Sequence, residues 1–437
     1  MQFQRVTIVG AKRSGLAAAE LLRSRGATAQ LMDSQPDTPD VLVQSEENLF
    51  AAAPDLIVVS PGVPYDLPLL DAARSRGIPT IGEVELASYF LKGPVIGVTG
   101  SNGKTTTTAL TGHILKECGV PCQVGGNIGT AVTSLVHTSR DDQWNVLELS
   151  SFQLEAIYTF RARIGACLNV TPDHLDRHHT FEAYAAAKRR LFETQSDADF
   201  AVLNYDDGVC RSYASHTKAQ VYWFSLREQP PRGVRLNGDQ LLWNDQPFMD
   251  RSQIRLRGLH NVENVACAAA VAHLAGADLK LIGAAVASFP GVEHRIEFVR
   301  TLDGVDYFND SKATNVDATL KAIDAFPGGL WIILGGKDKG SDYSPLVDPL
   351  RQRAKAALLI GAEPPYPYAA APLIKKALGS SVPTLDCGTL ENAVSYARRQ
   401  AEPGDTVLLA PACTSFDQFQ NYEERGRAYK QLVQGLF

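Results

Sequence analysis

The stretch that decides the fold reads Pro94-Val-Ile-Gly-Val-Thr-Gly-Ser-Asn-Gly-Lys-Thr-Thr-Thr-Thr108. Its apolar beginning predicts a short buried strand, its middle residues Gly100–Gly103 predict a tight loop, and Lys104 opens a helical run. Glycines allow the backbone N–H groups of such a loop to converge on a phosphate, and the helix presents its positive end to the same anion. The stretch therefore predicts a phosphate-binding loop between a strand and a helix.

This loop matches the G-x-x-x-x-G-K-[ST] pattern strictly only at its Gly-Lys-Thr end, because Val98 stands at the first glycine position. A bare Gly-Lys-Thr is common by chance, but the strand before it and the helix after it favour an ATP site. We expect Lys104 to reach the β- and γ-phosphates and Thr105 to offer its hydroxyl to Mg²⁺. The other residues expected around the phosphates are Gly100, Ser101, Asn102, Gly103 and Thr106.

Length and composition exclude several classes of protein. The 437 residues suffice for three domains, at about 150 residues each. No apolar run reaches the ~18 residues of a membrane span, and the chain opens on a strand pattern without a secretory signal, so we expect a cytoplasmic protein. Seven scattered cysteines argue against a disulfide framework or a zinc site. A net charge of −6 lacks the basic surplus of a nucleic-acid binder.

Residues 1–92 alternate strand and helix signals, which predicts a small doubly wound parallel sheet. The first turn, Gly10-Ala-Lys-Arg-Ser-Gly15, is similar to a dinucleotide-binding fingerprint, and Asp33 stands where a ribose-binding acid would lie. Lys12 replaces the glycine that permits close approach of a pyrophosphate, so another nucleotide-linked ligand is favoured over NAD. A second loop, Ser60-Pro-Gly-Val-Pro64, should lie at the same sheet edge, although most Ser-Pro-Gly sequences are plain turns.

Residues 93–290 form the region around the phosphate loop. Glu148 lies in an apolar strand, where a carboxylate costs free energy unless it is paired or binds a cation, so we predict that it binds Mg²⁺. His174 lies in a polar loop after another strand, where open α/β sheets bind their ligands. Asn261 and Asn264 share a face of a predicted helix and can offer a donor and an acceptor to the edge of a base.

The sheet pattern restarts after residue 290, which suggests a hinge followed by a third α/β domain over residues 291–437. Polar loops again follow the predicted strands of this region, at residues 309–315, 335–341 and 410–419. We expect these loops to lie at one edge of the sheet and to carry its chemistry.

Taken together, these stretches resemble the Mur ligases, ATP-dependent enzymes that build the peptide of bacterial cell-wall precursors. Six features occur in the family's order and spacing: the phosphate loop, Gly-Gly-Asn-Ile-Gly at 125–129, Glu148, His174, His260-Asn261 and His294-Arg295. The resemblance implies an α/β protein of three domains: an N-terminal Rossmann-like domain, a central ATPase sheet of the P-loop type and a C-terminal Rossmann-like domain. It also implies an enzyme that acts as a monomer.

The form Ser-Lys-Ala-Thr at residues 311–314 resembles the branch of this family that adds D-glutamate to UDP-N-acetylmuramoyl-L-alanine. The implied reaction passes through an acyl-phosphate. The resemblance implies that the UDP-sugar is bound by Arg13, Ser14, Asp33, Ser60, Gly62, Asn127, Ser150 and His174. It implies that D-glutamate is bound by Thr314, Lys339, Ser415 and Tyr422.

The same resemblance implies ATP as a substrate and two Mg²⁺ ions. ATP contacts beyond the phosphate loop are assigned to Asn261, Asn264, Arg295 and Asp310. The implied metal ligands are Thr105, Glu148, His174 and Lys188, and Lys188 matches a lysine that the family carries as a carbamate. The residues assigned to catalysis are Lys104, His174, Lys188 and Lys312.

Three alternatives stay open on the sequence alone. A related ligase would add another amino acid or extend folate with glutamate, and trials of substrates separate it from the first interpretation. An NAD-dependent dehydrogenase would use Gly10, Gly15 and Asp33, but it leaves the loop at 98–106 unexplained. A nucleotide-gated regulatory protein would bind ATP without turnover, whereas Glu148 and His174 favour catalysis.

Overall fold

The computed structural model describes residues 3–36, 38–361 and 368–437. They form three sheets of five, nine and six strands, with helices between the strands. The chain divides into two compact units, one of Met1–Arg255 with His260–Phe289 and one of Leu256–Leu259 with Pro290–Phe437. The first unit holds the five- and nine-stranded sheets, and the second holds the six-stranded sheet. The division into domains at 1–92, 93–290 and 291–437 stays a prediction.

The N-terminal sheet is parallel throughout, with strand order β3-β2-β1-β4-β5, which confirms the predicted doubly wound sheet. Its elements are β1 Arg5–Val9, α1 Arg13–Ser24, β2 Thr28–Asp33, β3 Val41–Val43, α2 Glu46–Ala51, β4 Leu56–Val59, α3 Pro68–Ser75, β5 Thr80–Gly82 and α4 Glu83–Ser88. The central strands β1 and β4 are almost wholly buried because helices cover both faces of a parallel sheet. The loops after β1 and β4 therefore meet at one edge.

The central sheet has the order β14-β13-β12-β11-β10-β9-β6-β8-β7, in which β12, β13 and β14 pair antiparallel and the other neighbours pair parallel. Strand β6 lies between β8 and β9, so the loops that follow these three strands meet at one edge. The elements are β6 Val95–Thr99, α5 Lys104–Glu117, β7 Cys122–Gly126, α6 Val132–Leu135, β8 Trp144–Glu148, α7 Ser151–Leu154, β9 Ile164–Cys167, α8 Leu175–His178, α9 Phe181–Glu193, β10 Phe200–Asn204, α10 Gly208–Ser212, β11 Gln220–Ser225, β12 Gly233–Asn237, β13 Gln240–Trp243, β14 Gln246–Asp250, α11 Leu259–Leu274 and α12 Leu279–Ser288.

The five strands β10 to β14 extend the central sheet over residues 200–250, which the sequence analysis left without assignment. The turn between β13 and β14 is the pair Asn244-Asp245, both with positive φ, which is the backbone that a two-residue hairpin turn requires. This extension adds strands on the β9 side of the sheet, away from β7.

The C-terminal sheet has the order β15-β16-β20-β17-β18-β19, and all its strands are parallel except β15. Its elements are β15 Glu297–Leu302, β16 Val305–Asn309, α13 Val316–Asp324, β17 Leu330–Gly335, α14 Val347–Arg353, β18 Ala354–Ile360, α15 Ala371–Leu378, β19 Thr384–Gly388, α16 Leu390–Gln400, β20 Thr406–Leu409 and α17 Tyr422–Gln434. Strand β20 lies between β16 and β17, so the three polar loops predicted to carry chemistry follow adjacent strands. Ligands bind at such a switch in strand order.

None of the helices in the described part of the chain is both long and apolar enough to cross a membrane.

Candidate active site

The phosphate loop has the backbone that its glycines were expected to allow. Gly100 and Gly103 have φ of 150° and 85°, values that residues with a Cβ rarely adopt. A Cβ on Gly103 would also lie 2.2 Å from Oδ1 of Asn264. Helix α5 begins directly after Gly103, and no side chain of the described residues caps its first N–H groups. The loop therefore offers backbone donors and a helix N-terminus to an anion.

Asn169, which follows β9, holds this loop in shape. Its Oδ1 accepts a hydrogen bond from the backbone N–H of Asn102 at 2.8 Å, and its Nδ2 donates to the carbonyl of Asn102 at 3.2 Å. Its own carbonyl accepts from the N–H of Ser101 at 2.8 Å. The sequence analysis missed Asn169; its only signal is an amide at the end of an apolar strand.

Two lysines converge on the same carbonyl of the loop. Nζ of Lys104 donates to the carbonyls of Gly100 at 2.8 Å and Ser101 at 2.9 Å, and Nζ of Lys188 donates to Gly100 at 2.8 Å. Lys188 is only 1% exposed, and its Nζ lies 4.5 Å from the centre of the Tyr184 ring. Burial, and secondarily the charge of Lys104, lower the pKa of Lys188 to about 7. Lys188 is therefore a buried amine rather than the solvated helix residue that its sequence suggests.

Glu148 lies at the end of β8, beside Val98 of β6, and is 2% exposed. Its Oε1 accepts a hydrogen bond from Nδ2 of Asn127 at 2.8 Å. Its Oε2 is buried and has no hydrogen-bond partner among the described residues. A buried carboxylate oxygen without a partner is costly, and oxygen is the ligand that Mg²⁺ prefers, so this residue fits a metal ion.

The other predicted metal ligands lie on neighbouring loops of the same edge. Thr105 is buried at the start of α5. His174 is half exposed, its Nε2 lies 3.5 Å from a carboxylate oxygen of Asp173, and its ring packs on Phe152 with centres 4.9 Å apart. A hydroxyl, a carboxylate and an imidazole group therefore lie at the sheet edge that carries the phosphate loop.

Asn261 and Asn264 are both buried on α11, and the Nδ2 of Asn264 donates to Oδ1 of Asn261 at 2.9 Å. Oδ1 of Asn264 also accepts from the hydroxyl of Thr107 at 3.3 Å, on the first turns of α5. The fold thus brings this predicted adenine-binding pair to the phosphate loop. Thr106, another predicted contact, is buried in α5.

The two predicted loops of the N-terminal sheet are joined by hydrogen bonds. The hydroxyl of Ser60 donates to the carbonyl of Gly10 at 2.7 Å, and a Cβ on Gly15 would lie 1.8 Å from that carbonyl oxygen. The N–H of Ala11 donates to Oδ2 of Asp33 at 2.7 Å. Burial raises the pKa of Asp33, but N–H donors such as Ala11 outweigh it, so the pKa lies below its ordinary value.

The remaining residues assigned to the UDP-sugar have different environments. Arg13 and Gly62 are exposed, Ser14 is partly buried, and Asn127 is exposed with its amide on Glu148. Ser150 forms a capping box with Gln153 at the start of α7, in which its Oγ accepts from the N–H of Gln153 at 3.3 Å. The side chain of Ser150 thus has a structural partner already.

In the C-terminal unit, Asp310 follows β16 and is 3% exposed. Burial raises its pKa to about 6, although the nearby positive charge of Arg295 acts in the opposite direction. Its Oδ1 and the Nε of Arg295 are buried without hydrogen-bond partners in the described ranges. Such a pair of groups fits a ligand that offers both a donor and an acceptor, or a bound cation.

Of the residues assigned to D-glutamate, three lie on loops of the same sheet edge, and Tyr422 is the first residue of α17. Thr314 and Tyr422 are partly buried, Ser415 is buried and Lys339 is exposed. The backbone N–H of Ala412 donates to the carbonyl of Ala313 at 2.9 Å, which joins the loops after β20 and β16. Nζ of Lys312 lies 5.6 Å from the centre of the Tyr422 ring.

Comparison with known proteins identifies the family. The model described as "Mur ligase MurD-like, N-terminal domain" matches residues 4–82. The "Mur ligase middle domain" matches residues 98–272, and the "Mur ligase, glutamate ligase domain" matches residues 294–413. The chain belongs to the Mur ligase family. As a Mur ligase it is an ATP-dependent enzyme that forms amide bonds, which confirms the predicted class and decides against the dehydrogenase and the regulatory protein.

Relatives of this Mur ligase match it from end to end. The UDP-N-acetylmuramoylalanine--D-glutamate ligase of Solibacter usitatus (strain Ellin6076) is 58% identical over 445 residues, which cover 100% of this chain and 99% of the relative. The enzyme of the same name from Koribacter versatilis (strain Ellin345) is 48% identical over 451 residues, covering 99% and 98%. That from Myxococcus xanthus (strain DK1622) is 42% identical over 461 residues, with the same coverage.

Solved structures share the fold of this Mur ligase. UDP-N-acetylmuramate-alanine ligase MurC from Thermotoga maritima matches with a TM-score of 0.63 at 16% identity over 99% of both chains. MurF ligase from the same organism, in complex with ADP, matches with a TM-score of 0.62 at 16% identity, covering 99% of this chain and 96% of the other. At such identity the likeness concerns the fold alone, and it confirms the predicted three-domain α/β architecture.

Arg425 of this Mur ligase is a second residue that the sequence analysis missed. It is 1% exposed on α17, where its Nε donates to Oγ of Ser311 at 3.0 Å and its Nη2 donates to the carbonyls of Ser311 at 2.9 Å and Cys413 at 3.2 Å. Burial lowers its pKa to about 10. This guanidinium ties the loop after β16 to the loop after β20, and an arginine in a polar helix carries no sequence signal of that role.

Proposed function

We propose that this Mur ligase joins D-glutamate to UDP-N-acetylmuramoyl-L-alanine, with ATP as the energy source, in the synthesis of peptidoglycan precursors. The observation that carries the proposal is the full-length identity of 58% to a ligase that bears this substrate pair in its name. The loop at Gly100–Gly103 and the unpartnered oxygen of Glu148 support the phosphoryl-transfer half of the reaction. We further propose that the enzyme acts in the cytoplasm as a monomer.

In the first step, a carboxylate oxygen of the alanyl group attacks the γ-phosphorus of ATP. A bond forms between this oxygen and the phosphorus, and the bond from the phosphorus to the β,γ-bridging oxygen breaks. The product is an acyl-phosphate, with ADP as the leaving group. Lys104 donates to carbonyls of the loop, and we infer that its ammonium turns to the phosphates when ATP is bound.

Bound Mg²⁺ would supply positive charge against the phosphoryl oxygens. We propose two ions, held by Thr105, Glu148, His174 and a carbamate on Lys188. The pKa of about 7 at Lys188 supports this assignment, because the amine reacts with CO₂ only when it is uncharged. A carbamate would also replace a positive charge by a negative one beside the cation site.

In the second step, the amino nitrogen of D-glutamate attacks the carbonyl carbon, and the tetrahedral intermediate expels inorganic phosphate while the nitrogen loses its proton. We propose that Thr314, Lys339, Ser415 and Tyr422 bind D-glutamate, because charged and hydroxyl donors suit its two carboxylates. Arg295, Asp310 and Lys312 would contact ATP from the same unit, and Asn261 and Asn264 would contact adenine.

We assign the UDP end of the precursor to Arg13, Ser14, Asp33, Ser60 and Gly62, and its sugar-phosphate end to Asn127, Ser150 and His174. The hydrogen bond between Ser60 and Gly10 supports the first group as a single site. This arrangement uses both sheets of the first unit for one extended substrate.

The identity of the amino acid is tested with purified enzyme, ATP and UDP-N-acetylmuramoyl-L-alanine, to which D-glutamate, L-glutamate, L-lysine or meso-diaminopimelate is added. We expect an amide product with D-glutamate and none above background with the others. A product with another amino acid alone, or glutamate transfer to a folate in place of the UDP-precursor, would assign the enzyme to another branch of the family.

The acyl-phosphate is tested separately by following ¹⁸O placed in the β,γ-bridge of ATP. With UDP-precursor present and D-glutamate absent, reversal of the first step should move the label into non-bridging positions. If the β-phosphate of bound ADP is free to rotate and the label nevertheless stays in the bridge, this intermediate is contradicted.

A further inference from the structure

Three ionisable side chains, one buried and two partly buried, lie between the two sheets of the first unit, outside the residues assigned above. They are Glu155, which follows α7, and Arg177 and His178, which end α8, and we call them the linking cluster. Their side chains are 19%, 14% and 2% exposed. Ionisable groups that are this buried cost free energy unless they are paired, so their contacts indicate what they do.

On the side of the central sheet, the linking cluster holds the segment next to Ser150. Nε2 of His178 lies 2.9 Å from Oγ of Ser151, the first residue of α7. The ring of His178 stacks on Phe152 with centres 5.4 Å apart, and Phe152 in turn packs against His174. His178 thus contacts the residue next to Ser150 and packs on the same phenylalanine ring as His174.

On the side of the N-terminal sheet, the same cluster holds the loop after β4. Nη2 of Arg177 donates to the carbonyl of Val63 at 2.7 Å, and the N–H of Val63 donates to the carbonyl of Ser60 at 2.9 Å. The same Nη2 lies 3.2 Å from Oε2 of Glu155, whose Oε1 lies 3.1 Å from Nδ1 of His178. A continuous chain of polar contacts therefore joins the loop of Ser60 to the start of α7.

The backbone around the cluster is held in an unfavourable conformation. His174 and His179, on either side of the four-residue helix α8, have φ of 51° and 65°. A positive φ costs free energy in a residue other than glycine, and it persists where the surrounding contacts hold it. The contact of His179 with Asp66 is exposed and adds little, whereas the more buried contacts of Arg177 and His178 help to hold α8 in place.

We propose that Glu155, Arg177 and His178 are positioning residues that fix the spacing between the UDP-binding loop at Ser60–Gly62 and the substrate-binding segment at Ser150. The inference rests on the proposed function, in which one UDP-sugar contacts both places. When the spacing is fixed, binding of one end of the substrate places the other end at its own site, which strengthens binding without any new contact. UDP alone reaches only the N-terminal loops and gains nothing from the spacing.

The test compares the affinities of UDP and of UDP-N-acetylmuramoyl-L-alanine for the full-length protein by titration calorimetry. Arg177→Met removes the bonds to Val63 and Glu155 but keeps an apolar stem of similar length. We expect the Kd of the UDP-precursor to rise about ten-fold, the equivalent of one lost hydrogen bond to a charged group, and the Kd of UDP to change less than about two-fold. The KM of the precursor should rise in step, whereas the KM of ATP should not.

Arg140→Met is the matched control, because Arg140 forms an exposed ion pair with Asp142 at 2.9 Å and lies outside the linking cluster. It should leave both affinities unchanged. Arg177→Lys serves in case Arg177→Met does not fold. One ammonium retains the charge but not the geometry of a guanidinium bonded to both Val63 and Glu155, so we expect a smaller loss in the same direction.

The inference would be overturned if the Kd of UDP and the Kd of the precursor rose equally. It would also be overturned if neither Kd changed in a variant that unfolds at the wild-type temperature. If the wild-type protein bound the precursor no more tightly than UDP, the proposed function would fail together with it. If the wild type binds the precursor more tightly than UDP, and the variants of Arg177 do so by the same factor, only the inference fails.

Discussion

Two loops of the first unit share one backbone plan and differ in the charge around it. Each follows a strand in a parallel sheet, begins with a glycine of positive φ and leads into a helix; the first begins at Gly10 and the second at Gly100. The carbonyl of Gly10 accepts from the hydroxyl of Ser60, whereas that of Gly100 accepts from Nζ of Lys104 and from Nζ of Lys188. The carbonyl of the first glycine thus has a hydroxyl partner in one loop and two lysine side chains as partners in the other.

The backbone N–H groups of the two loops also differ in the charge of the side chain that accepts their hydrogen bonds. In the first loop the N–H of Ala11 donates to the carboxylate of Asp33, and in the second the N–H of Asn102 donates to the neutral amide of Asn169. A carboxylate repels a phosphate and accepts from hydroxyl or N–H groups, whereas an amide leaves the positive potential of the loop intact. We propose that this difference in side-chain charge makes the second loop the better site for a triphosphate and the first loop the better site for a nucleoside.

The largest effect is expected at the second loop, from Lys188→Ala. If the carbamate is a metal ligand, its loss should lower kcat by about 10³-fold, the size of effect that follows removal of a group stabilising transition-state charge. Added acetate or formate should restore part of the activity by filling the space with a carboxylate. Lys188→Arg, which keeps a positive charge, should be inactive and not respond to either.

The control for this series is Lys116→Ala, at an exposed position near the end of α5, which should retain full activity. Wild-type rates in Lys188→Arg would contradict the carbamate, and so would a failure of every short carboxylate to raise the rate of Lys188→Ala.

The second prediction concerns a substitution that places a carboxylate beside the phosphate loop, as Asp33 lies beside the first loop. Asn169→Asp keeps the shape of the side chain and one acceptor for the N–H of Asn102, but it adds a negative charge and removes the bond to the carbonyl of Asn102. We expect the KM of ATP to rise at least about ten-fold, because like charges in a partly buried site repel strongly. The KM of the UDP-precursor should stay within about two-fold of the wild type; a rise of both together would indicate a general loss of structure instead.

The reciprocal change in the first loop is Asp33→Asn, and its expected effect is smaller. The amide oxygen can still accept from one of the two N–H donors, Ala11 or Gln35, so the turn keeps part of its support. We expect a rise of about three- to ten-fold in the KM of the UDP-precursor, the equivalent of one weakened hydrogen bond. The KM of ATP should not change. An effect on ATP alone would reverse our assignment of the two loops.

The smallest effect is a change of stability with pH that arises from Lys188. Its pKa is lowered to about 7 in the folded protein, so between about pH 7 and pH 10.5 the unfolded chain binds a proton that the folded protein lacks. Stability should therefore rise with pH in this window. In CO₂-free buffer, the Tm of the wild type relative to that of Lys188→Met should increase by about 2 °C between pH 7.5 and 8.5. An unchanged Tm difference over this range would show that the folded protein retains the ammonium.

The sequence predicted both loops because each one lies between a clear strand and a clear helix. Glu148, at the end of β8, also stands out in the sequence because a charged residue interrupts an apolar run. Asn169 and Arg425 were missed for the opposite reason, since their roles come from contacts with loops distant in the sequence. Nothing in the local pattern of either residue distinguishes it from an ordinary polar side chain.

The extension of the central sheet was also outside what the sequence predicted. Strands β10 to β14 are four to six residues long, and all but β12 lack the strict alternation of apolar and polar residues that marks a half-buried strand. The charge state of Lys188 depends on burial beneath the phosphate loop, which a helix pattern with two following arginines does not reveal. Local pattern therefore predicts a candidate site, whereas tertiary packing sets the charge state of Lys188.

The most direct test of the account is the release of ADP by the purified protein under three conditions: with ATP and the UDP-precursor, with ATP and D-glutamate, and with all three. We predict sustained release only when all three substrates are present, because the two loops must hold ATP and the precursor before D-glutamate can complete the reaction. With the precursor but without D-glutamate, at most one equivalent of ADP per enzyme should form. Sustained release without D-glutamate, or none when all three are present, would contradict the account.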